Sequence, residues 1–313
     1  GLLKTEFLKE HLTVLVGLEL RDLRLGLGAD GDDLRALIGN VSRSFHELGK
    51  KVVVVLNVDG VIETTSWKHL VDAILLPWSP GQEGANAVAD VLTGKVNPSG
   101  KLPMTFPVNF MDHASSYNFP YLDTRSGGRQ PKKNVDYTPY EEGIWVGYRL
   151  FDTYGVEVSY PFGFGLSYTT FAYGKPVVKA GKDGFTASVT VTNTGAVAGM
   201  EAVQLYVSAP QGGLVKPAKE LKAFAKTGLL APGESQVLEF SVSAYELASF
   251  SEAAGQWETA AGAYTVHFAA SVADVRCTAQ YKQAKAQTFP VDDPSACAPL
   301  VTVAADPSVV PGR

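Results

Sequence analysis

An α/β domain with a mostly parallel sheet, followed by an antiparallel β-sandwich, is the architecture this sequence predicts, and three observations predict it. A continuous run of Val52, Val53, Val54, Val55 and Leu56 is too short for a buried helix and lacks the alternation of a half-wet strand. It reads as a parallel-sheet strand covered on both faces. Just before it, Leu34, Leu37, Ile38, Val41, Phe45 and Leu48 recur at helical spacing, and Gly49 stops the helix, which sets up a β-loop-α-β unit. Beyond about residue 167 the pattern changes to short alternating runs parted by turn signals, the signature of a sandwich.

In chain order, Leu3, Phe7 and Leu8 stand at helical spacing, and Leu12 to Val16 reads as a strand. Residues 17–33 mix charges with glycines and read as a loop, and the helix follows from Asp32 to Leu48. After the valine strand come a short polar helix at Ser66 to Val71 and a second apolar run at Ala73 to Leu76. PGQEG then opens a helix from Glu83 to Leu92 that Gly94 closes. NPSGKLPMTF, with Pro98, Gly100, Pro103 and Pro107, is loop chemistry, and residues 107–139 read as ordered loop. Strands are expected at Ala187–Val191, Ala202–Val207, Leu221–Lys226, Val237–Val242 and Tyr264–Phe268, with Tyr206, Phe224, Phe240 and Phe268 serving the core. Residues 291–313 carry four prolines and read as an extended tail. The expected divisions are 1–120 for the α/β part, 121–166 for a linker, 167–280 for the sandwich and 281–313 for the tail.

Composition narrows the function. With 313 residues, 45% hydrophobic and 19% charged, the chain has room for two globular domains, and a net charge of −5 leaves no basic footprint for nucleic acid. No apolar run approaches the ~20 residues of a membrane span, so the chain reads as soluble. Cys277 and Cys297 bracket a polar segment; a disulfide there fits an oxidising compartment, periplasmic or secreted, and two separate thiols fit equally. Nothing resembles the His/Cys spacing of a metal site, and no cofactor is called for. Gly26-x-Gly28-x-x-Gly31 matches the dinucleotide fingerprint, but Arg21, Asp22 and Arg24 occupy the run where a buried strand is required, which favours a surface turn.

Three long stretches, PGQEGANAVADVLTGKVNPSGKLPMTFP at 80–107, YEEGIWVGYRLFD at 140–152 and YPFGFGLSYTTFAY at 160–173, resemble the C-terminal half of glycoside hydrolase family 3, β-glucosidase type. The resemblance spans roughly residues 32–275 and implies part of an α/β sandwich domain, an ordered linker and a fibronectin type III-like domain. It implies a carbohydrate substrate and no cofactor. It also implies that the nucleophilic aspartate sits in an N-terminal βα-barrel outside this chain, as a missing segment or second chain, with a homo-oligomer left open.

Glycoside hydrolysis needs two carboxyl groups, about 5–5.5 Å apart in a retaining enzyme. The family's acid/base glutamate belongs to a Glu-Gly-x-Asp-Arg loop, and the stretch here is Glu19-Leu20-Arg21-Asp22-Leu23-Arg24. Glu19 and Asp22 keep the spacing, whereas Leu20 replaces the glycine and arginine does not follow Asp22 directly. The resemblance therefore makes Glu19 the acid/base candidate, against a solvated loop carboxylate paired with Arg21 or Arg24. Among other carboxylates, Glu83 suits a helix start, Asp59 a strand-end ligand position or an Asp-Gly turn, and Glu141 and Glu142 a cleft or a junction. Trp78 suits a sugar-stacking rim or a core position, and His46, His69, His113 and His267 lie apart with no Gly-x-Ser-x-Gly nearby. A β-xylosidase of the same family and a non-catalytic carbohydrate-binding piece are the alternatives.

Overall fold

In a computed structural model of the protein, residues 12–19, 29–117, 140 and 142–291 are described, residues 12–19 and 29–34 by their backbone. Strand β1 (Leu12–Glu19), helix α1 (Ala29–Glu47), β2 (Lys51–Asn57) and β3 (Ala73–Leu75) form a three-stranded sheet in the order β1-β2-β3. Both pairings are parallel, with Val53 opposite Leu15 on one side and Ala73 on the other. The valine run is buried throughout, as a strand with cover on both faces must be. Val54, Leu56 and Val58 join Ile38 of α1 and Trp67 in one core cluster.

The expected loop at 17–33 is shorter than its glycines and charges suggested. The β1–β2 ladder continues to Glu19 opposite Asn57, so pairing with a seven-residue neighbour carries the strand through Gly17. At the other side α1 starts at Ala29, taking in Gly31. Gly49 ends it in the left-handed region at φ 69°, where its N–H reaches His46 O at 2.9 Å. The short polar helix shrinks to one 3-10 turn, Lys68–Leu70, because Thr64 and Trp67 hold the preceding residues in turns. Helix α2 (Gly84–Leu92) begins one residue later than expected, with Glu83 in the capping position.

Strand β4 (Phe106–Pro107) pairs with β5 (Val158–Tyr160), which follows helix α3 (Tyr148–Tyr154). The sandwich then builds from β6 (Phe171–Tyr173), β7 (Val177–Ala180), β8 (Phe185–Asn193), β9 (Ala202–Ser208), β10 (Glu220–Lys226) and β11 (Ser235–Val242). Two short strands, β12 (Ser249–Ser251) and β13 (Gln256–Thr259), precede the long hairpin β14 (Gly262–Ser271) and β15 (Asp274–Gln283), and β16 (Gln287–Phe289) closes the order. One sheet runs β10-β9-β14-β15 and the facing one β11-β8-β6 with β7 also on β8, while β12-β13-β16 forms a small third sheet. Val189 and Val191 of β8, Leu205 of β9, Phe240 of β11 and Phe268 of β14 meet in the main core.

Phe224 departs from its expected core role: it is 75% exposed. A register shift between Leu221 and Ala223 turns Leu221 toward Tyr206 on the outer face and Ala223 and Ala225 into the main core, which sends Phe224 outward. Strand β15 was not expected: Cys277, Ala279, Tyr281 and Gln283 alternate inward, but of these only Tyr281 and Gln283 are fully buried, and polar residues fill most of the remaining positions. The tail from 292, with Cys297, the residues before Leu12, and the linker residues 118–139 and 141 lie outside the described residues.

Candidate active site

The carboxyl ends of parallel strands are where ligands approach open α/β sheets, because loops there can diverge around a crevice. Glu19 is the last residue of β1, and its Cα partner Asn57 is the last of β2. Val58, buried, anchors the next turn and leaves Asp59 exposed beside that edge. After β3 the chain passes through Leu76 and Pro77 to Trp78, which has φ 59° and is the non-glycine residue with positive φ among the described residues. Such a backbone is costly for a bulky side chain and is held by its surroundings. Those surroundings are the α/β core cluster and the Phe106 ring, 6.2 Å away at 49°. The topology thus brings Glu19, Asp59 and Trp78 to one sheet edge, with Trp78 half-buried against the core rather than standing as a free rim.

The loop after β2 is stitched to β5. Thr64 and Ser159 share a buried hydroxyl–hydroxyl bond of 2.6 Å, and the Lys68 ammonium donates to Ser159 O at 3.0 Å and lies 4.9 Å from the Tyr160 ring centre. Burial pushes the Tyr160 hydroxyl above its usual pKa, so it stays neutral at any working pH. Glu142 is 8% exposed, and its Oε2 finds no hydrogen-bond partner; Glu141 lies outside the described residues. Glu83 accepts from Asn86 Nδ2 at 2.6 Å, a role local to the start of α2.

The histidines are scattered. His46 binds Asp72 Oδ2 at 2.8 Å beside Lys51 and Val52, at the amino end of β2 and away from Glu19. Burial raises the Asp72 carboxyl, but hydrogen bonds from Lys51, the Val52 amide and His46 outweigh it and leave the pKa below the usual value. His113 packs edge-on against Phe151 at 5.1 Å, and His267 bonds Ser208 Oγ at 2.9 Å. His69 is exposed on the 3-10 turn. Of the glycine fingerprint, Gly26 and Gly28 lie outside the described residues with Arg21, Asp22 and Arg24, while Gly31 lies inside α1.

The long motifs prove to serve the junction between the α/β part and the sandwich. Asn97 donates to Ala198 O at 3.0 Å and accepts from the Ser167 hydroxyl at 3.0 Å and the Tyr168 amide at 2.8 Å, while Tyr168 OH donates to Val91 O at 2.8 Å. A Cβ on Gly165 would stand 2.2 Å from Gly100 O, and one on Gly163 would stand 1.9 Å from Gln204 Oε1. Gln204 in turn donates to Gly163 O at 3.0 Å and Ala270 O at 2.9 Å and accepts from Tyr206 OH at 2.7 Å. Sequence reasoning found these motifs without their purpose, because each purpose is a contact made with a residue far along the chain.

Comparison with known proteins agrees with this architecture. The family model of the glycosyl hydrolase family 3 C-terminal domain matches residues 30–168, and that of a fibronectin type III-like domain matches 201–272. A β-glucosidase of Rhizobium radiobacter is 41% identical over 265 residues, covering 84% of this chain and 30% of its own length. An exo-alpha-(1->6)-L-arabinopyranosidase of Bifidobacterium longum is 39% identical over 230 residues, 73% of this chain and 29% of its own. The structure of β-glucosidase 3B from Thermotoga neapolitana in complex with glucose superposes with a TM-score of 0.80 at 40% identity, over 92% of this chain and 40% of that one. The chain thus spans about a third of the length of the curated relatives it matches.

Proposed function

Because this chain carries the glycosyl hydrolase family 3 C-terminal domain with a fibronectin type III-like domain behind it, we propose that it is the C-terminal portion of a retaining β-glucosidase. The observation that carries the reading is the likeness, over 92% of the chain, to a β-glucosidase solved with glucose. In this reading a barrel outside the chain supplies the nucleophilic carboxylate. That carboxylate attacks the anomeric carbon while Glu19 protonates the departing glycosidic oxygen. Glu19, now ionised, then takes a proton from water as the water oxygen attacks the same carbon and releases the nucleophile. The position of Glu19 at the carboxyl end of a parallel strand, beside Asn57, supports this role. No step in this sequence draws on a cofactor.

A second specificity has its own support, since relatives from two Bifidobacterium species are named for an arabinopyranoside. A β-xylopyranoside is a β-glucopyranoside without the hydroxymethyl group, and an α-L-arabinopyranoside lacks that group and also has the opposite configuration at C4, so a pentoside reading differs in the pocket around C5 and, for arabinose, around C4 as well. The test compares release of nitrophenol from β-glucoside, β-xyloside and α-L-arabinopyranoside by the longer protein, with and without Glu19→Ala. Loss of activity in Glu19→Ala, partly restored by azide with a glycosyl azide as product, is the expected result. Undiminished turnover in Glu19→Ala assigns the proton donor elsewhere, and the preferred substrate decides between hexoside and pentoside.

A further inference from the structure

We propose that the groove between α1 and the 3-10 turn at Lys68–Leu70 binds a tetrahedral oxyanion, a phosphate group either free or carried on a small sugar. The groove is an open depression of about 650 Å³, lined from α1 by Arg35, Asn40, Ser42, Arg43 and His46, and from the turn by His69. Arg35 and Arg43 stand eight residues apart on one helix, close to two full turns and therefore on one face. Among the described residues no carboxylate lines the groove. Among the described residues neither of these guanidinium groups enters an ion pair, whereas the other described arginines, Arg149 and Arg276, each hold a carboxylate. Unpaired guanidinium forks with imidazole and amide donors beside them match the charge and the several acceptor oxygens of a phosphate.

A second observation points to a ligand. Ser42 is 3% exposed, yet its hydroxyl has no hydrogen-bond partner, although buried hydroxyls almost always find one. It belongs to the wall of this same groove. His46 is steadied from behind by Asp72, whose charge is shared with Lys51 and the Val52 amide. Two arginines, an imidazole held by Asp72 and a serine with an unpartnered hydroxyl line one concavity, and nothing in the proposed glycosidase reaction uses them.

The experiment measures binding to the 313-residue chain by calorimetry and by thermal denaturation, in inorganic phosphate, glucose phosphate, glucose and sodium chloride at matched ionic strength. Expected is a saturable heat and a saturable rise in melting temperature with phosphate beyond that of chloride. Arg35→Gln with Arg43→Gln weakens it by about tenfold or more, through loss of charge-assisted hydrogen bonds. Ser42→Ala weakens it several-fold while leaving the phosphate-free melting temperature equal or higher, a pattern general destabilisation does not produce. Tighter binding of glucose phosphate than of phosphate, with none of glucose, identifies a sugar phosphate; equal binding identifies the free ion. A phosphate response no greater than that of chloride, or one undiminished in the double substitution, overturns the proposal. Because it reads binding and not turnover, its outcome is separate from that of the glycosidase reading.

Discussion

Gly163→Ala is the perturbation whose cost the structure defines most closely. Gly163 has φ 78°, and an alanine there carries about 1–2 kcal/mol of backbone strain. Its Cβ would also fall 1.9 Å from Gln204 Oε1, so the amide has to move. Gln204 is 5% exposed and makes its hydrogen bonds to Gly163 O, Ala270 O and Tyr206 OH inside the junction. Each bond lost costs about 1 kcal/mol, and more where a buried partner is left unsatisfied. The sum is about 4–6 kcal/mol, a large part of the ~5–15 kcal/mol that holds a typical domain. Urea denaturation followed by tryptophan fluorescence measures it, with Gln204→Ala and the double substitution completing a cycle. Truncating Gln204 makes room for the new methyl group, so the double substitution falls short of the summed single losses by at least ~1 kcal/mol. A loss below ~1 kcal/mol in Gly163→Ala, or a strictly additive cycle, refutes the reasoning.

Asn97→Ala removes the hydrogen bonds to Ala198, Ser167 and Tyr168 and is expected to cost about 2–3 kcal/mol, whereas Asn97→Asp keeps an acceptor and costs less; denaturant midpoints rank the two. Phe224→Thr, on an exposed position, leaves stability within ~0.5 kcal/mol, while Leu205→Ala in the main core costs about 2–5 kcal/mol by the same assay. Burial holds His113 and His267 below the ordinary imidazole pKa of 6.5, with Lys219 adding to the shift at His267 and Asp112 and Asp152 opposing it at their neighbours. The unfolded chain binds protons below about pH 6.5 that the folded chain refuses, so stability falls as pH drops from that point and levels off below the folded values. Substituting both with glutamine flattens the slope of stability against pH between about pH 5 and 7, read as denaturation midpoints across that range.

What was legible in the sequence was whatever local pattern alone decides. Val52 to Leu56 announces its burial because the run is β-branched, too short for a buried helix and without the alternation of a half-wet strand, and β8, β9, β11 and β14 announce theirs by alternation. Phe224 misled because a bulge inside β10 reverses which side faces the core, and a one-residue shift leaves no trace in the sequence. Glu19 looked like a loop residue because glycine and charge surround it, and only its pairing opposite Asn57 makes it the end of a strand. Trp78 gives no hint of its positive φ, since that conformation is imposed by packing against Phe106 and the α/β core. The groove beside α1 was equally hidden, because helical spacing shows Arg35 and Arg43 to be neighbours but not that a buried, unpartnered Ser42 hydroxyl lies in the same wall.

The measurement that bears most directly on the glycosidase account is covalent trapping. A fluorinated β-glucoside with a good leaving group forms a glycosyl-enzyme that hydrolyses slowly, so its mass marks the nucleophile. Treated with it, the longer protein is expected to gain one sugar on a carboxylate outside these 313 residues, and this chain alone none. A labelled aspartate or glutamate within this chain would contradict the account, because the nucleophile would then lie in the part assigned only the proton donor.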